Sequence, residues 1–74
     1  MNLLNTLIDT IAETFDIRTE GLTETTALEQ IEGWDSVNAL RLLSAIEDEL
    51  GLRLNVAAFM KSESIGQIHQ LCGA

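Results

Sequence analysis

Apolar residues recur every three or four positions along most of this chain, a spacing typical of amphipathic α-helices. In the first segment this spacing produces one apolar stripe, made of Leu4, Leu7, Ile8, Ile11 and Phe15. The intervening Asp9, Thr10 and Glu13 are expected to face solvent. The polar run that starts at Asp16 is expected to end this first helix.

A second helix is predicted to begin at Asp35 or Ser36 and to end at Gly51, since glycine often follows the last residue of a helix. Its predicted buried ridge contains Val37, Leu40, Leu43, Ile46 and Leu50, widened by Ala39 and Leu42. This is the longest periodic segment in the chain, and it follows directly on a turn-prone stretch.

Two shorter helices are predicted after Gly51. Asn55 is a favourable N-cap for a brief third helix, which would place Phe59 and Met60 in the core. Ser64 and Gln67 form a capping box for the last helix, whose inner face is lined by Ile65, Ile68, Leu71 and Cys72. The predicted fold is therefore all-α: a small four-helix bundle, with three main helices and one short helix.

The connection over residues 17–35 is long for so small a domain, and such loops usually carry function or are held down by their own side chains. Its glycines and threonines predict irregular backbone. Leu22, Leu28 and Ile31 are expected to attach it to the core, and Trp34 to plug its junction with the bundle. The segment Thr26-Ala27-Leu28-Glu29 matches a capping box and predicts a short helical turn.

Length and composition restrict the function. A chain of 74 residues is predicted to form one domain, residues 1–74, with little room for a deep active-site pocket. Twelve acids against four bases give a net charge of −8, which disfavours binding to nucleic acid and favours docking to basic patches on proteins.

No apolar stretch approaches the length of a membrane span. With no secretory leader apparent, we expect a cytoplasmic monomer.

Few residues offer chemistry of their own. His69 and Cys72 are the only histidine and cysteine, so no metal-ligand set is predicted, and Cys72 is expected to be a packed or terminal thiol. Ser36 lacks the Gly-x-Ser-x-Gly context of a hydrolase nucleophile. Asp35 and Ser36 are good helix caps, but a helix N-terminus also stabilises a covalently attached phosphate.

The chain resembles the acyl carrier protein family over nearly its whole length. The resemblance centres on Gly33-Trp34-Asp35-Ser36-Val37 and on Ala45-Ile46-Glu47-Asp48-Glu49-Leu50-Gly51. In this family an Asp-Ser-Leu or Asp-Ser-Met triplet opens a helix that ends in an acidic run and an apolar residue. The segment Ser64-Ile65-Gly66-Gln67-Ile68 is similar to the start of the family's last helix.

The resemblance implies that Ser36 is the attachment point of 4′-phosphopantetheine, transferred from coenzyme A by a phosphopantetheinyl transferase, with Asp35 as the flanking residue of the motif. The thiol of the arm would then hold acyl groups as thioesters. A loading ligase or acyltransferase and condensing or acyl-transferring enzymes are the implied partners. The domain itself would be a phosphoprotein carrier in a fatty-acid-like, polyketide or other specialised biosynthesis, and not an enzyme.

The chain departs from the family pattern on the predicted docking side of the second helix. Many fatty-acid carriers have acids two and five positions after the serine, where this chain has Asn38 and Arg41. The expected partner-binding residues are Val37, Arg41, Glu47 and Asp48. The Trp34-Asp35-Ser36 segment resembles discrete carriers of specialised pathways.

Three other functions remain open at this stage. An aminoacyl or peptidyl carrier would share the arm but be loaded by an adenylating ligase. An unmodified helical interaction module would use the same surface without an arm. A minimal serine hydrolase would turn over activated esters using Ser36 and His69.

Overall fold

A computed structural model describes residues 2–73 of the chain. Within these residues four α-helices follow one another: α1 (Leu3–Phe15), α2 (Ser36–Leu50), α3 (Val56–Lys61) and α4 (Ile65–Gly73). A 3₁₀ turn, Leu28–Gln30, lies in the connection between α1 and α2. Helix α1 packs against α2 and α4, and α3 packs against α2 and α4. The predicted small all-α bundle with a long first loop is confirmed.

The helix ends follow the predicted local chemistry. The Asn2 side chain accepts a hydrogen bond from the Leu4 N–H at 2.8 Å and caps α1. Asp16 ends that helix in the left-handed conformation, with φ of 53°. Gly51 adopts the same region at the end of α2, with φ of 65°, and the Asn55 side chain caps α3 through the Ala58 N–H at 2.9 Å.

One hydrophobic core joins all four helices and the long loop. Its fully buried side chains include Leu7, Ile11, Leu28, Leu42, Ile46, Phe59, Ile65 and Ile68. Leu28 and Ile31 of the loop are buried in the same cluster, which confirms that apolar side chains attach this connection to the bundle. No helix within residues 2–73 has the length and apolar character needed to cross a membrane.

Four residues differ from the predicted burial, three of them in α1 and α2. Thr10 was expected to face solvent but is buried, and its hydroxyl donates to the Thr6 carbonyl oxygen at 2.9 Å. This bond satisfies the hydroxyl within α1, so its burial leaves no polar group unpaired. In contrast, Val37 and Leu40 were expected in the α2 ridge but are exposed. The buried side of α2 consists of Ala39, Leu42, Leu43 and Ile46.

Met60 was also expected in the core and is instead 42% exposed. Its neighbour Phe59 is buried, as predicted, with 1% exposure. Because α3 spans only Val56–Lys61, one face of this short helix suffices to fill the core, and Met60 lies on another.

Thr26 does not cap the 3₁₀ turn that follows it, although the turn itself was predicted. The capping position is Ala27, which provides no side-chain hydrogen bond. The Thr26 hydroxyl instead accepts from the Thr23 N–H at 2.9 Å and donates to the Gly21 carbonyl oxygen at 3.3 Å. It therefore closes the preceding part of the loop.

Backbone hydrogen bonds attach this loop to the start of α4. The Ile65 N–H donates to the Thr26 carbonyl oxygen at 3.1 Å, and the Gly66 N–H donates to that of Glu24 at 2.8 Å. The predicted Ser64 cap is present, since its Oγ accepts from the Gln67 N–H at 3.2 Å. The long connection is thus attached to the bundle both by its buried apolar side chains and by its backbone hydrogen bonds.

Candidate functional site

The candidate site lies where the long loop meets α2. Asp35 has extended backbone, with φ of −153° and ψ of 179°. Its Oδ1 accepts the Asn38 N–H at 2.7 Å, while its carbonyl oxygen accepts the Ala39 N–H at 2.8 Å. Ser36 is therefore the first residue of α2, and it is exposed to solvent.

The loop residues just before Ser36 are held by a hydrogen bond from α2 and by the backbone conformation of Gly33. The Asn38 side-chain amide donates to the Gly33 carbonyl oxygen at 2.9 Å, which joins the first turn of α2 to the loop. Gly33 has φ of 88°, a left-handed conformation that favours glycine. These features hold the serine on an ordered turn.

Trp34 anchors the same loop to the first helix. Its ring stacks on that of Phe15, with ring centroids 5.4 Å apart and 25° between the ring planes. Offset stacking of this kind stabilises an aromatic pair beyond the burial of its area. The predicted role of Trp34 as an apolar plug between loop and bundle agrees with this contact.

The geometry at Ser36 suits a covalently attached phosphate. The N–H groups of Ser36 and Val37 lie in the first turn of α2, where no intrahelical acceptor exists for them. Together with the helix dipole, such groups stabilise negative charge. The hydroxyl is open to solvent at the edge of a cleft whose other lining residues are Trp34, Asp35, Ala39 and Met60. An attached arm therefore fits here without displacing a core side chain.

The same geometry lacks the arrangement of a serine nucleophile. Nucleophilic catalysis by serine requires a base within hydrogen-bond distance of the hydroxyl. Among residues 2–73 no hydrogen bond joins Ser36 to His69, which lies half-buried on α4. In the same residues no group of three or more His, Cys, Asp or Glu side chains is arranged to hold a metal ion.

The other predicted site residues lie along α2. Val37 is 69% exposed, and Arg41 and Asp48 are exposed as well. Glu47 differs from them, because its Oε2 accepts the Leu54 N–H at 3.0 Å. This carboxylate holds the link between α2 and α3, a role that the sequence did not indicate.

Exposed apolar side chains on α2 and α3 were missed from the sequence. Leu40 is 46% exposed, and Val56 and Met60 are 52% and 42% exposed. Val56 and Met60 are four positions apart on α3, so they share one face of the helix. The four-residue spacing of Val56 and Met60 indicates that they share a face of the helix, but it does not indicate whether that face is buried or exposed.

Cys72 is a half-buried free thiol on α4. Burial raises the pKa of this thiol, because it disfavours the charged thiolate. A thiol that stays protonated is a poor nucleophile. Its half-buried position agrees with the expected packed side chain.

Comparison with known proteins identifies the class. Residues 5–72 match the protein family described as a phosphopantetheine attachment site. Because the match covers nearly the whole chain, the chain belongs to this family of phosphopantetheine-binding domains. Covalently attached phosphopantetheine is therefore its prosthetic group.

A relative adds a more particular likeness. The chain is similar to a protein named acyl carrier protein from Saccharopolyspora erythraea, with 34% identity over 61 residues. The aligned region covers 82% of this chain and 64% of that relative. The chain is thus a homologue of an acyl carrier protein, matching a little under two thirds of the relative's length.

Proposed function

We propose that residues 1–74 form a single acyl carrier domain in which the hydroxyl of Ser36 carries 4′-phosphopantetheine. The observation that supports this most strongly is the position of Ser36, exposed at the first residue of α2, in a chain that matches the attachment-site family over residues 5–72. The single core shared by all four helices supports treating the chain as one domain.

The attachment reaction needs only an accessible hydroxyl from this protein. A phosphopantetheinyl transferase would supply Mg²⁺ and a base to take the hydroxyl proton. The Oγ–P bond forms as the pyrophosphate P–O bond of coenzyme A breaks, which releases adenosine 3′,5′-bisphosphate. Asp35 and Asn38 position the serine, since they order the first turn of α2.

The arm, once attached, supplies a terminal thiol that holds a cargo as a reactive thioester. The domain then presents this cargo to successive enzymes, and the tether raises its effective concentration at each active site. The chemistry belongs to those partners: a loading ligase or acyltransferase and condensing or acyl-transferring enzymes. We infer that the domain itself is a carrier and not an enzyme.

Acyl groups are the proposed cargo. The relative named acyl carrier protein supports this choice, as does the Asp35-Ser36 pair. A fatty-acid-like, polyketide or other specialised biosynthesis would use such a carrier. An aminoacyl carrier has the same arm and differs only in what is loaded.

We place the docking surface on the exposed side of α2, at Val37, Leu40, Arg41 and Asp48. Residues 36–61 hold three acids and three bases, whereas residues 2–35 hold eight acids and one base. The segment from Ser36 to Lys61 therefore carries no net charge, whereas the residues before it are strongly acidic, with Asp35 directly beside Ser36. A fitting partner has an apolar surface with a carboxylate opposite Arg41.

Intact mass spectrometry of the protein from its native source tests the proposal. We expect the chain plus one phosphopantetheine, with part of the sample carrying an acyl group that hydroxylamine removes. An aminoacyl mass would support the aminoacyl carrier instead. An unmodified chain under these conditions would support a plain interaction module and contradict the proposal.

A further inference from the structure

An open cleft of about 240 Å³ lies directly beside Ser36. Trp34 and Asp35 of the loop, Ser36 and Ala39 of α2, and Met60 of α3 line it. It therefore joins three elements of the fold, and the proposed attachment residue forms part of its wall. The docking surface described above does not require this cleft.

Three of the lining residues are apolar and differ in how closely they are packed. Trp34 is held by its stacking on Phe15, and Ala39 is buried in the core with 1% exposure. Met60 is 42% exposed, and its unbranched, polarizable side chain adapts to irregular apolar shapes. The cleft thus has two fixed walls and one adaptable wall.

Asp35 is the charged residue among those that line the cleft, and its carboxylate is hydrogen-bonded to the first turn of α2. The Asp35 carboxylate accepts the Asn38 N–H at 2.7 Å, so this bond and the helix N-terminus offset its charge. Trp34, Ala39 and Met60 supply the apolar part of the lining, next to the Ser36 hydroxyl.

The packed interior of the bundle offers no comparable opening for the groups of the arm that lie closest to Ser36. Ile46 and Ile68 are completely buried, and Phe59 is 1% exposed. Opening a packed interior sacrifices existing contacts, whereas the cleft at Trp34 is already open. The structure therefore favours the cleft over the interior.

Phosphopantetheine has an apolar group close to its phosphate. After the phosphate and one methylene comes a quaternary carbon with two methyl groups, and the amides and the thiol lie beyond it. A phosphate on the Ser36 Oγ would hold these methyl groups only a few bonds from the cleft wall. Tethering at such short range favours even a weak apolar contact.

We propose that the Trp34–Ala39–Met60 cleft is a binding subsite for the dimethyl segment of the arm. This inference rests on the proposed function, because it requires the arm on Ser36. The subsite orients the proximal part of the arm along the α2–α3 side of the molecule. The amide segment and the thiol remain free to reach partner enzymes.

The test compares the apo protein with the same protein modified by a phosphopantetheinyl transferase and coenzyme A. Intact mass first establishes that one arm is present. We then expect nuclear Overhauser contacts from the arm's paired methyl groups to the Met60 ε-methyl and the Trp34 indole. Trp34 is the only tryptophan, so its indole N–H resonance and its fluorescence also report occupancy of the cleft.

Two substitutions sharpen this test. Met60→Gln should remove the apolar wall, so that the arm contacts to Trp34 are lost while the modification still occurs. Val56→Gln is the matched control, since Val56 is an exposed apolar residue on the same helix that does not line the cleft. It should leave the contacts to Trp34 and Met60 unchanged.

Two results would overturn the inference in distinguishable ways. A modified protein whose Trp34 and Met60 signals match those of the apo form, or whose arm contacts Phe59 instead, contradicts the subsite and leaves the proposed function intact. A protein that the transferase leaves unmodified contradicts the proposed function and the subsite together.

Discussion

Asp35 sets the start of α2 with a single charge-assisted hydrogen bond. Its side chain accepts the Asn38 N–H at 2.7 Å, so the backbone of Ser36 is held at the first helical position. Loss of such a cap typically costs about 1 kcal/mol of stability. The residue before the serine thus has a structural role that is independent of any transferase.

We expect Asp35→Ala to lower the free energy of unfolding by about 1 kcal/mol in urea denaturation. Asp35→Asn keeps a capping oxygen and should lie close to the wild type. Equal losses in both variants would show that charge, and not the cap, is what stabilises this turn.

The role of a single residue could be predicted where it follows from the residue types beside it in the chain. The cap at Asp35 and the helix start at Ser36 follow from residue types at adjacent positions. The exposure of Met60 and the burial of Thr10 did not follow, because both depend on how a helix is rotated against its neighbours. Thr10 is accommodated by a bond within α1, which a polarity pattern does not reveal.

At the scale of elements, Glu47 joins the end of α2 to the segment before α3. Its Oε2 accepts the Leu54 N–H at 3.0 Å in a half-buried position. Hydrogen bonds to charged groups contribute roughly 1.5–3 kcal/mol, with smaller values expected near solvent.

We therefore expect Glu47→Ala to destabilise the protein by about 1–2 kcal/mol. Glu49→Ala is the matched control, because it removes the same charge from an exposed position of the same helix and should change stability by less than about 0.5 kcal/mol. Comparable thermal shifts in the two variants would contradict the proposed role of the Glu47 hydrogen bond.

The contact between the long loop and α4 depends on a glycine. A Cβ at position 66 would lie 2.7 Å from the backbone oxygen of Glu24, and the Gly66 N–H donates to that same oxygen. The loop and the helix therefore approach more closely than a side chain allows.

Gly66→Ala should destabilise the fold by about 1–3 kcal/mol through overpacking, although alanine favours helices over glycine. Gln70→Ala, at an exposed position of α4, is the control and should be nearly neutral. A Gly66→Ala variant as stable as the wild type in urea would show that the loop moves away at little cost. The sequence predicted the loop's apolar anchors, but this backbone contact has no residue pattern of its own.

At the scale of the whole molecule, charge is unevenly distributed. Eight acids and one base lie in residues 2–35, whereas residues 36–61 have three of each. Overall composition predicted an acidic molecule that docks to basic patches. Most of that charge lies in α1 and the loop, whereas the segment that carries the exposed Val37, Leu40 and Arg41 has equal numbers of acids and bases.

Arg41→Glu tests the proposed docking surface in binding to the acyl-transferring enzyme that accepts the loaded carrier. A carboxylate opposite Arg41 predicts that the dissociation constant rises by about tenfold, because like charges then face each other. Arg18→Glu, which changes an exposed base of the loop, should bind like the wild type. Tighter binding of Arg41→Glu would show that the partner is basic at this position.

The helical architecture and the position of Ser36 at the start of α2 could both be predicted because periodicity, caps and a short motif agree over the same segment. Only the packed structure shows which side of α2 and of α3 stays exposed, since an amphipathic pattern permits several rotations of a short helix. The cleft beside Ser36 likewise arises only when loop, α2 and α3 are together.

The most direct test of the account is modification of the purified apo protein by a phosphopantetheinyl transferase and coenzyme A, followed by intact mass and peptide fragmentation. The wild type and Ser44→Ala, which alters another exposed serine of α2, should each gain one phosphopantetheine, located on Ser36. Ser36→Ala should gain none while keeping its helical circular dichroism spectrum. An arm on any other residue, or a wild type that stays unmodified, would contradict the account.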